Sequence, residues 1–107
     1  MAARRYLCSH LVTLTWGAGQ CVANLEEIWQ TGAVVECDQP VSAGGLGELR
    51  CGGTFFAGRL VSADAHEFGW RVELEFSPLT PWSPERFRPE HLLDLLELGG
   101  EKPTGSP

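Results

Sequence analysis

Hydrophobic and polar positions alternate with a period of two along most of this chain, and that period predicts strands. It is cleanest at 70–76, where Trp70, Val72, Leu74 and Phe76 fall on one face and Arg71, Glu73 and Glu75 on the other. Such a segment belongs in an antiparallel sheet with one buried and one solvated side. Leu11–Trp16 alternates in the same way, with Val12, Leu14 and Trp16 together, and Gly17–Gln20 then supplies a turn. A second run, Cys21–Trp29, sets Val22 and Ile28 against Cys21, Ala23, Leu25 and Trp29. Ala33–Cys37 is short and rich in β-branched residues and ends in the Asp38-Gln39-Pro40 turn. Leu46–Cys51 follows, and Gly52-Gly53 is a two-residue hairpin signal leading into a fifth strand from Thr54 to about Val61. Ser62–Phe68 is predicted to turn the chain into the strand at Trp70.

The pattern changes after Phe76. Pro78, Pro81 and Pro84 punctuate one short stretch, and Pro89–Leu98 carries helix formers behind a proline at a plausible first position. Leu92, Leu95 and Leu96 share a stripe, with Leu93 at its edge, so this helix is expected to cross a sheet face or plug an open barrel end. Gly99-Gly100 would stop it, and the polar remainder to Pro107 reads as a flexible tail. Six short strands followed by one helix predict a mainly β fold, an antiparallel barrel or sandwich with a C-terminal α-helix.

Composition narrows what such a fold could do. The chain has 107 residues, enough for one core and not two. No apolar run reaches membrane-span length and the N-terminal residues do not resemble a signal peptide, so a cytoplasmic protein without membrane contact is expected. A net charge of −6 opposes binding to DNA or RNA backbones. Seven of the eight basic residues are Arg, whose planar fork suits phosphate, carboxylate or guanine edges, so local anion sites stay open. Cys8, Cys21, Cys37 and Cys51 form no C-x-x-C pair and read as free buried thiols.

No constellation of residues announces catalysis. His10, His66 and His91 have no metal-ligand spacing, and no G-x-x-x-x-G-K loop is present. Glu73 and Glu75 read as the solvated face of their strand beside Arg71. A site assembled in space from Cys51, His66 and Glu67 is the one enzymatic reading left open. Trp16 and Trp70 are expected in the core, whereas Trp29 and Trp82, beside turns, could either seal the barrel rim or serve as stacking platforms.

With Arg4-Arg5 ahead of the first strand, Gly32-Ala33 opening the third and Gly69–Phe76 before a terminal helix, residues 4–98 resemble the PilZ family. The resemblance implies a six-stranded antiparallel β-barrel with a C-terminal α-helix over 4–98, a tail at 99–107 and, in many members, binding of the bacterial second messenger cyclic di-GMP. The family's R-x-x-x-R motif is half present: counting from Arg4 places Cys8 at the second Arg, and counting from Arg5 places Ser9 there. Its D/N-x-S-x-x-G motif aligns with Glu27-Ile28-Trp29-Gln30-Thr31-Gly32, where only the Gly matches and Trp29 stands in place of a small Ser. The ligand-binding candidates carried over are therefore Arg4, Arg5, Glu27, Trp29 and Gly32. Losing one charge-assisted Arg contact costs about 1.5–3 kcal/mol. Two readings follow: a non-enzymatic signalling module that works through an unknown protein partner, or as a homodimer, without strong dependence on the nucleotide, and a receptor retaining weak cyclic di-GMP binding.

Overall fold

The computed structural model describes residues 4–17 and 19–95. The period-two segments form strands β1 (Arg5–Trp16), β2 (Gly19–Trp29), β3 (Gly32–Cys37), β4 (Leu46–Cys51), β5 (Thr54–His66) and β6 (Gly69–Phe76), followed by a short β7 (Leu93–Asp94). All pairings are antiparallel, and the order β2-β3-β6-β5-β4-β1 closes through β1–β2. The fold is thus mainly β and its first six strands make a closed six-stranded antiparallel barrel. The alternation explains why it closes: Leu14, Leu25, Val35, Leu49, Phe56, Leu60, Val72 and Leu74 all project inward and lose essentially all exposure. At about 25 cal/mol per Å² of apolar surface removed from water, this shared interior is the main force holding six curved strands together.

Two strands run well beyond their sequence pattern. β1 starts at Arg5 instead of Leu11, and β5 continues to His66 instead of turning at Ser62. Each contains an irregularity, between Leu7 and His10 in β1 and between Leu60 and Ser62 in β5. A bulge inserts one residue and flips every later side chain to the other face, so a strict period-two reading ends where the bulge begins. In β2 the register passes from Leu25↔Val35 to Glu27↔Val34, leaving Glu26 as the extra residue. Ile28 consequently joins Cys21, Ala23 and Leu25 in the main core cluster, while Trp29 turns to the other face and is buried apart from that cluster, the reverse of the faces expected from alternation.

The tryptophans are also distributed differently from the expectation. Trp29 and Trp82 are the buried pair, at 6% and 3% exposure, whereas Trp16 and Trp70 pack only partly against the core. Trp82 belongs to the segment between β6 and β7, which closes one barrel end without regular structure. Its indole N–H donates to the Phe87 carbonyl at 2.8 Å, its backbone N–H donates to the Gln30 carbonyl at 2.9 Å, and its ring meets Tyr6 edge-on at 5.3 Å. Phe87 stands edge-on to His10 at 5.1 Å.

The helix expected from Pro89 does not begin there. The Ser9 N–H donates to the Glu90 carbonyl, the Glu90 N–H donates to His10 Nδ1, and His91 takes a left-handed φ of 58°. That turn lays Leu93–Asp94 against Tyr6–Leu7 as β7, along the half of β1 that β4 does not reach. Residues 96–98 of the predicted helix, the Gly99-Gly100 stop and the tail at 99–107 lie outside the described residues. Among the described residues, no helix is long and apolar enough to cross a membrane.

All four cysteines are free thiols. Burial pushes Cys8, Cys21 and Cys51 up to about 12, with Glu26 and Glu27 adding at Cys8, and Cys37 and Asp38 adding at Cys21. An unfolded thiol ionises near its ordinary value of 9.0, so between those limits the unfolded chain has lost protons that the folded chain keeps. Stability contributed by these thiols is complete below about pH 9 and declines as pH rises toward 12. A thiol-specific reagent at about pH 8 should leave these three cysteines unmodified in the native protein and modify them in denaturant. Rapid native reaction would contradict their burial.

Candidate functional site

The β2–β3 hairpin and the start of β1 bring four of the five candidate residues together. Arg5 lies within β1, in register opposite Trp29, where the sequence had placed it ahead of the strand. Its guanidinium carbon sits 3.9 Å from the centroid of the Trp29 ring, and its Nη1 donates to Glu27 Oε1 at 2.9 Å. Gly32 lies beneath the indole: a Cβ there would come within 2.8 Å of Trp29 Cζ2 and 2.5 Å of the Leu74 carbonyl oxygen. The motif's glycine is therefore required by close packing of the tryptophan and of β6. Arg4 is not part of this cluster; it turns to Asp94 of β7, 3.3 Å away.

Both family frames for the second arginine can be placed. Cys8 is half-buried and its thiol donates to the Leu25 carbonyl, so it presents nothing to solvent-side ligands. Ser9 is exposed, with its hydroxyl 3.3 Å from Asn24 Oδ1.

A cleft of about 190 Å³ opens beside the cluster, with Arg5, Trp29 and Thr31 on one side and Val61, Glu73 and Glu75 on the other. It shares Thr31 and Glu75 with a larger groove of about 600 Å³, lined also by Gly47, Ala57, Gly58, Pro78 and Pro81. Among the described residues Arg5 is the only cation lining the smaller cleft, against the carboxylates of Glu73 and Glu75, and Glu27 already holds it. The Glu27 side chain is 16% exposed, so this pair is less screened than an ordinary surface ion pair. Cation–π contact at such a partly covered site adds about 0.5–2 kcal/mol. An incoming dianion would have to displace both partners and approach two further carboxylates.

Glu73 and Glu75 reach the cleft because β6 lies next to β3, a cross-chain neighbour relation with no local signal in the sequence. On the polar face of β6, Glu75 meets Arg59 at 3.2 Å, while Arg71 reaches Glu26 at 3.1 Å and Glu36 at 3.7 Å. Cys51 and His66 stand at opposite ends of the hairpins flanking the 13-residue β5, so the arrangement of Cys51, His66 and Glu67 does not assemble. No group of three potential metal ligands occurs among the described residues. Comparison of the sequence with protein-family models and with curated proteins finds no match.

Proposed function

We propose that this chain is a divergent PilZ-like module, non-enzymatic and bacterial, that signals through protein contacts without strong dependence on cyclic di-GMP. The closed six-stranded barrel is the architecture the motif resemblance implies, and it supports the reading without identifying the family. The observation that carries it is the state of Arg5. The guanidinium that would grip a phosphate or a guanine edge is stacked on Trp29 and neutralised by Glu27. The second motif arginine is replaced by the half-buried Cys8 thiol or by Ser9, and Trp29 fills the space a small residue would leave for a base. Each loss removes about one to two decades of affinity, and together they take a micromolar site out of the useful range.

A second reading, a receptor using Arg4, Arg5 and Gly32, draws support from the continuity of the small cleft with the 600 Å³ groove through Thr31 and Glu75. Titration calorimetry of the whole chain with cyclic di-GMP separates the two. The expected result is no heat beyond dilution at high ligand concentration. A dissociation constant in the micromolar range or tighter establishes the receptor and overturns the first reading.

A further inference from the structure

The solvent side of β1 and β2 carries large apolar residues where an antiparallel barrel normally places polar ones. Leu11 is 71% exposed and Val22 63%, although the residues beside them in the chain, Val12, Cys21 and Ala23, are buried. Leu11 pairs with Asn24 and Val22 with Thr13, which makes Leu11 and Val22 diagonal neighbours on one face. Phe68, 81% exposed at the tip of the β5–β6 hairpin, lines the same open cleft of about 440 Å³. Glu26, Glu36 and Asp38 also border it. Arg71 bridges Glu26 and Glu36, and His66 Nε2 lies 3.4 Å from Glu36, but Asp38 enters no ion pair among the described residues. On the β4 side Arg50, opposite Thr13, also borders Leu11 and Val22 and is held by Glu48 at 3.2 Å, so the patch is three apolar side chains with its excess of negative charge on the Phe68 side.

We propose that this face is the docking surface of a protein partner, and that the partner presents an extended segment alternating aliphatic with basic side chains. The proposal rests on the protein-contact reading above and gives it a location, further along β1 and β2 from the end that holds Arg5 and Trp29. Exposed contiguous apolar surface rimmed by polar groups marks an interaction site in a folded protein. Charge decides the occupant. A second copy meeting this patch about a two-fold axis would set carboxylates opposite carboxylates in a chain of net charge −6. A segment with Lys or Arg beside its aliphatic positions meets Asp38 and the Glu26–Glu36 edge with opposite sign, and its apolar side chains cover Leu11, Val22 and Phe68.

The test is an NMR titration of the isotope-labelled full chain with a short synthetic peptide alternating valine and lysine, and with its valine–glutamate counterpart. The expected result is saturable shifts centred on Leu11, Val22, Asp38 and Phe68 with the lysine peptide, persisting at physiological salt, and none with the glutamate peptide. Phe68→Ser and Val22→Thr, both at exposed positions that leave the core intact, should each weaken binding about tenfold, and Asp38→Lys by a similar factor. Shifts scattered over all acidic surfaces, equal binding of the two peptides, or no binding overturns the proposal. So does a concentration-dependent dimer by sedimentation that Phe68→Ser abolishes, since a second copy would then be the occupant. Calorimetry of the same samples with cyclic di-GMP reads the other site independently: failure of the patch with no nucleotide heat leaves the protein-contact reading standing, whereas nucleotide binding removes it.

Discussion

Replacing Gly58 with alanine is expected to unfold this barrel or to cost it more than about 3 kcal/mol, because the clash is with backbone and no rotamer relieves it. Gly58 pairs with Gly47 of β4 on one side and with Phe76 of β6 on the other. A Cβ at this position would stand 2.1 Å from the Glu75 carbonyl oxygen, 2.9 Å from the Glu75 carbonyl carbon and 3.0 Å from Phe76 Cα. To admit a methyl group, β5 and β6 must part by more than an ångström where they are paired, and the ladder between them opens. Glycine at a barrel corner allows a neighbouring backbone to approach this closely and the sheet to bend. Gly53→Ala is the control, since its Cβ would meet nothing within 4 Å; its cost should stay within about 0.5 kcal/mol. The comparison is made by urea denaturation followed by circular dichroism. A Gly58→Ala protein with the wild-type midpoint would show that β5 and β6 are not packed this tightly.

Trp82→Ala is expected to destabilise the protein by about 3–5 kcal/mol, the range for truncating a large buried aromatic. Trp82 is 3% exposed and plugs the barrel end over Tyr6. Its loss also strands the Phe87 carbonyl, which accepts the indole N–H at 2.8 Å. Trp82→Phe keeps much of the volume and gives up that bond, so it should cost less than the alanine variant, and the difference between them separates packing from hydrogen bonding. The measurement also identifies what closes the barrel. If the irregular segment after β6 is the plug, Trp82→Ala lowers the denaturation midpoint sharply; if it leaves the midpoint unchanged, closure lies elsewhere in the chain.

These two positions illustrate the division between local and tertiary information. A glycine inside a strand pattern is visible in the sequence, but the carbonyl that forbids a side chain at Gly58 belongs to a residue 17 positions later. The prolines after Phe76 announced an irregular stretch, yet nothing local showed that its tryptophan enters the core. In the candidate site, Arg5, Glu27, Trp29 and Gly32 were legible as motif positions. Their present condition was not, because the ion pair and the stacking contact depend on the β1–β2 register, which places Arg5 opposite Trp29. Glu73 and Glu75 entered the site only when β6 came to lie beside β3.

The sequence by itself determined the strand-rich class, all six barrel strands in approximate position, the inward set of Val12, Leu14, Val72, Leu74 and Phe76, and the free state of the cysteines, since period-two alternation and turn residues are short-range properties. Tertiary structure alone decided the bulges that extended β1 and β5 and exchanged Ile28 for Trp29. It also decided the turn at His91, where bonds from β1 replaced the expected start of the helix with a strand pairing. The physical reason is common to them all: each is set by a backbone or side chain brought close by barrel closure, and helix propensity or alternation, worth tenths of a kcal/mol per residue, yields to hydrogen bonds and buried surface worth more.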